Sequence, residues 1–167
     1  MALKPRVPPS ERVSASLLKE LADSAVRLNF GSDEFAKAIG PIDVALKKLN
    51  LGISAWFEYR GSATDSDGDF AYSHIGYAKV NGKWGLALSR CAGNIHDDPD
   101  DHNEEFWLFN DAPRSMRLEA LDYIPDLLET LLREANNLAE SLQKKAEQAR
   151  ALADTISTLT ATAEVRR

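Results

Sequence analysis

The sequence predicts an α+β fold: a small antiparallel β-meander covered by N-terminal helices and followed by a long, heptad-patterned C-terminal helix. Three observations predict it. Ten of the thirteen aromatic residues lie between positions 51 and 112, in a stretch broken by turn-forming residues. An Asn81-Gly82 dipeptide separates two strand-like runs. On either side, apolar residues recur at steps of three and four, the period of one helical face.

The 167 residues, 44% hydrophobic and 28% charged, match one ordinary globular domain. The organisation expected is an extended arm over 1–10, an α+β region over 11–125, and a long helix over 126–167. Pro5, Pro8 and Pro9 keep the arm extended. Ser10 then precedes a helical run carrying Leu18, Leu21, Ala25 and Leu28, which Gly31 is expected to end. Ser32, followed by Asp33 and Glu34, reads as the cap of a second helix, and Gly40-Pro41 as its kink or restart. Asn50 and Gly52 stop it.

Residues 53–59 suit a strand. Asn81-Gly82 accepts the positive φ of a type I′ turn, which aligns Val80 with Lys83 and fixes every cross-strand pair behind it. One face then pairs Lys79 with Trp84, Tyr77 with Leu86 and Ile75 with Leu88, and is large and apolar. The other pairs Ala78 with Gly85, Gly76 with Ala87, His74 with Ser89 and Tyr72 with Cys91, so that either a helix packs closely there or a ligand binds. Residues 106–109 carry aromatics on both faces and read as a central or doubly covered strand. Asp111 is the expected cap before Pro113, and Pro125 either kinks the helix or divides a short piece from the long one.

From Leu121 to Leu159 the 3-4 alternation continues for more than five heptads, interrupted by Lys145. The oligomerisation residues are Leu128, Leu131, Leu138, Leu142, Leu152 and Ile156. Spanning 126–160, the helix is about 50 Å long at 1.5 Å per residue, longer than a domain of this size is wide. It must pack back on the first helix or, as the leading expectation, on a second copy.

The net charge is −6, and residues 51–112 hold eleven acidic against four basic residues. That balance opposes direct nucleic-acid or anionic-membrane binding. His96 through Glu105 concentrates Asp97, Asp98, Asp100, Asp101, Glu104 and Glu105, which repel one another into a solvated loop and form an acidic surface for a basic partner. The expected partner is a basic, nucleic-acid-binding protein, with the loop acting as a decoy of nucleic acid, as in a phage or host-defence inhibitor. No His or Cys spacing of a known metal site occurs, and a calcium loop begun at Asp65 would place Gly76 where its bidentate Glu belongs. No cofactor motif is present, and no cofactor is expected. The alternative function is a small-molecule binder or enzyme using a pocket at His74, Ser89 and Cys91, although no nucleophile elbow or orienting third group accompanies them. Cys91 has no partner for an internal disulfide, and neither a signal-peptide core nor an apolar span is present, so the expected location is a reducing, cytoplasmic one.

Overall fold

The computed structural model describes residues 14–62, 68–96 and 103–165. The chain separates into two compact units, Met1–Ala45 and Leu46–Arg167. The described part of the first unit is helical from Ala15 onward. Helix α1, Ala15–Leu49, runs from it into the first residues of the second. Ser14 caps α1, its Oγ accepting from the Leu17 N–H at 3.1 Å, whereas Ser10, which precedes the helical run in the sequence, lies outside the described residues. Two successive helices were expected here, and one continuous helix is found. The physical reason is phase: with Ser32 filling one slot, the 3-4 steps run unbroken from Leu28 through Phe35, Ile39 and Ile42 to Leu46. Gly31 and Pro41 weaken this helix without ending it, and Pro41 removes only one backbone bond. Lys47 and Lys48 complement the dipole at the last turn. The helix ends as expected at Asn50 (φ 46°) and Gly52 (φ 66°), both left-handed.

The second unit holds an antiparallel sheet in the order β1 (Ala55–Ser62), β2 (Asp69–Val80), β3 (Lys83–Asn94), β4 (Asn103–Leu108). Asn81 (φ 49°) and Gly82 (φ 81°) make the tight turn, and every pair predicted from it is present. β4 is an outer strand rather than a central one, and Phe106 is exposed on it. A 3-10 turn at Phe109–Asp111 follows, with Phe109 buried. Asp111 does not cap the next helix: α2 (Arg114–Ala120) begins after Pro113 with no side-chain cap. A 3-10 turn at Leu121–Tyr123 then leads to α3, Ile124–Val165, with Pro125 in its first turn where a missing N–H is harmless.

The core lies on the large apolar face of the hairpin. Ile75 and Leu88 are fully buried, with Leu86 and Tyr77 nearly so. N-terminal helices were expected over the sheet, but within this unit the cover comes from the C-terminal side, α2 packing on β3 and the start of α3 on β1 and β2. Ala120, Ile124, Leu127 and Leu131 close the core from that side. Tyr123 stacks on Phe57 and Tyr59 at ring separations of 6.1 and 5.5 Å, adding to area burial.

The small-residue face is filled differently from either expectation. Trp56 of β1 lies across Gly76, where a Cβ would run into the indole ring, and meets Phe106 of β4 edge to face at 5.7 Å. Side chains from the two outer strands thus roof the small residues of the inner two. Gly76→Ala is expected to lower stability by about 1–3 kcal/mol, the usual range for overpacking. Urea unfolding followed by fluorescence checks it, and in a Trp56→Ala background, compared with that single variant, Gly76→Ala should cost much less.

Candidate functional site

Three groupings carry chemistry-bearing residues. The first is a row across the sheet, Glu58–His74–Ser89–Phe106, set by the strand register. Ser89 Oγ lies 3.4 Å from His74 Nδ1, and Glu58 Oε2 lies 3.9 Å from His74 Nε2. The expected His74–Ser89 pair is therefore assembled, and Glu58 is the third group that sequence reasoning missed. Cys91 sits one row away, in register with Tyr72 and Glu104. Chemically the row orients an imidazole between a hydroxyl and a carboxylate. It does not resemble an activated serine: Ser89 is buried at 4% exposure, the separation exceeds the 2.6–3.2 Å reach of a base, and it sits within a paired strand rather than at an exposed elbow.

The second grouping exists because β1 carries a bulge. The register shifts between Glu58 and Arg60, so Tyr59 is the extra residue and Arg60 stands opposite Ser73. Tyr59 turns to the α2/α3 side, where it stacks on Tyr123. Arg60 donates from Nη1 to both carboxylate oxygens of Glu119 on α2, at 3.2 and 3.0 Å. Arg60, Ser73, Arg90, Ser115, Met116 and Glu119 line a cavity of about 230 Å³. The Tyr59 hydroxyl is shut off from solvent beside the Ser73 hydroxyl. Burial pushes its pKa above the ordinary value of 10.0, the neighbouring Ser73 hydroxyl partly opposes this, Glu119 adds to it and Arg60 counters it.

The third grouping is the exposed seam of α3. Leu131 was expected to belong to it, but its side chain is 2% exposed and part of the core, because α3 lies on the sheet until about Ala135. Leu128 and Leu138 are exposed at 42% and 41%, Leu142 and Leu152 at 61%, and Ile156 at 53%. Lys145 turns its Nζ to Gln148 Oε1 at 3.2 Å, drawing the ammonium off the stripe. Of the acidic surface, Glu104 and Glu105 are exposed on β4, while Asp97, Asp98, Asp100 and Asp101 lie outside the described residues.

Among the described residues, no group of three or more His, Cys, Asp or Glu is arranged to hold a metal, and no helix is long and apolar enough to cross a membrane. No family model, curated protein or solved structure matches the chain.

The Tyr59 environment sets an alkaline limit. The folded phenol holds its proton above pH 10.0 while the unfolded chain releases it, so stability falls as pH rises past about 10. Tyr59→Phe, which removes the buried hydroxyl, is expected to change stability by less than about 1 kcal/mol at pH 7 and to flatten the alkaline decline. Chemical unfolding at pH 7 and across pH 9–11 measures both.

Proposed function

We propose that the protein is a non-catalytic interaction protein that self-associates through α3 and offers the acidic side of its sheet to a basic partner. The observation that carries the reading is the exposed heptad stripe. Every residue from Asn136 to Thr160 is exposed, yet the apolar period continues through Leu138, Leu142, Leu152, Ile156 and Leu159. A lone surface helix gains nothing from such a period, whereas a paired one buries it. Fully burying one Leu or Ile is worth roughly 1.5–3 kcal/mol, so the stripe favours whatever covers it.

Glu104 and Glu105 lie on the outer strand β4, and in the sequence they follow the carboxylate-rich residues 97–101. Charges there blunt edge-to-edge pairing and attract a basic surface, including that of a nucleic-acid-binding protein. Capture of such a partner should weaken above about 0.1 M salt, where the screening length falls to about 10 Å. Salt-insensitive capture would count against this half of the proposal.

For self-association, sedimentation of the wild type at tens of micromolar should report a dimer or higher species. Leu142→Glu combined with Ile156→Glu should yield a monomer. The unfolding of the sheet, reported by Trp56, Trp84 and Trp107, should be unchanged in that variant at matched monomer concentration. A wild-type protein that stays monomeric sinks the reading.

A further inference from the structure

We infer that two copies pair through α3 in antiparallel orientation, in a register that sets Lys145 of each chain against Ala149 of the other; this rests on the self-association proposed above. The heptad positions follow from the seam. Leu142, Ala149 and Ile156 fall at a, with Ala135 before them, and Leu138, Lys145, Leu152 and Leu159 fall at d. The flanking e positions are Ala139, Ala146 and Ala153, and the flanking g positions are Ser141, Gln148 and Thr155. Small, uncharged flanks on both sides let two helices approach closely in either direction, so the core layers decide the orientation. Charges between Ala135 and Thr160 other than Lys145 lie on the opposite face: Glu140, Lys144, Glu147, Arg150 and Asp154.

A parallel pair places each residue against its own copy. Lys145 would then face Lys145, a like-charge pair in the seam, and Ala135 and Ala149 would face their counterparts across two underfilled layers. An antiparallel pair instead matches a with d. Leu142 then meets Leu152, Leu138 meets Ile156, Ala135 meets Leu159, and Lys145 meets Ala149. Each small residue faces a long one, and no two like charges face each other. The methyl of Ala149 leaves room for the Lys145 stem, and the ammonium already leans away from the stripe to Gln148. Gln148 of the two chains lies on the same flank near the two-fold axis, which supplies polar company for that exit.

Neighbouring antiparallel registers fail on named residues. Sliding one heptad toward the sheet calls Leu131 into the interface, where it is buried in its own core at 2% exposure. Sliding one heptad the other way sets Lys145 against the long side chain of Ile156 in place of the small Ala149, and leaves Leu138 facing only Ala163. The chosen register puts Ala135 level with Leu159 of the second chain, twenty-four residues away along the sequence. At 1.5 Å per residue, the two sheets are therefore held about 36 Å apart along the helix axis, at opposite ends of the pair.

Disulfide trapping in a Cys91→Ser background distinguishes the arrangements. Leu138→Cys and Ile156→Cys are made as separate variants, oxidised alone and after equimolar mixing and exchange, and run on non-reducing gels. In the proposed register Leu138 of one chain lies about 27 Å along the axis from Leu138 of the other, so neither variant cross-links alone. The mixture should give a covalent dimer at least tenfold above either. Cross-linking of each variant alone, without gain on mixing, shows a parallel pair and overturns the register while leaving self-association standing. A dimer in sedimentation that no combination traps overturns the register as well. If sedimentation of the Cys91→Ser protein shows only monomer, the self-association itself is overturned.

Discussion

The parity of the Asn81-Gly82 turn decides which side chains meet on each face of the sheet. Both residues occupy left-handed φ, so the loop is two residues long and the register of β2 against β3 is settled behind it. A slip of one residue would send Ile75 and Leu88 to the face of Gly76 and Ala87, and leave α2 and α3 without a core to cover. The same parity brings His74 opposite Ser89. It also clears the shallow floor on which the Trp56 indole rests.

The β1 bulge acts as a second switch of facing. Without the extra residue, Tyr59 and Arg60 would point to opposite faces. With it, Tyr59 reaches the Tyr123 stack and Arg60 reaches Glu119, so β1 is tied to both C-terminal helical elements. The Arg60–Glu119 pair is exposed and contributes at most about 1 kcal/mol. The aromatic stack carries most of that tie through buried area.

Local chemistry was legible in the sequence, and long-range placement was less so. The hairpin register, the α1 stop at Asn50 and the division before α3 each follow from residues adjacent in the chain. Glu58 was missed because β1 reaches β2 through residues too numerous to fix a register, so its alignment with His74 is a tertiary result. Gly31 was read as a stop by its residue type, but the apolar phase running through Ser32 prevailed. Asp111 was taken for a cap because it precedes Pro113, yet it is held in the turn that buries Phe109. Leu131 shows the limit of pattern: its heptad position equals that of Leu138, and only the point where α3 leaves the sheet separates core from seam.

That point of departure makes α3 a cantilever. Its first three turns are clamped by the sheet through Leu127 and Leu131, and the residues from Asn136 to Thr160 are exposed. Without tertiary packing a helix gains little stability per residue, because nucleation is costly and propagation adds little at each step. The clamp supplies the nucleus. The free arm should then fray from its tip inward, its amide protons exchanging with solvent far sooner than those near the clamp. Helical order in the arm and the availability of its stripe are thus one equilibrium, drawn toward the helix by whatever covers it.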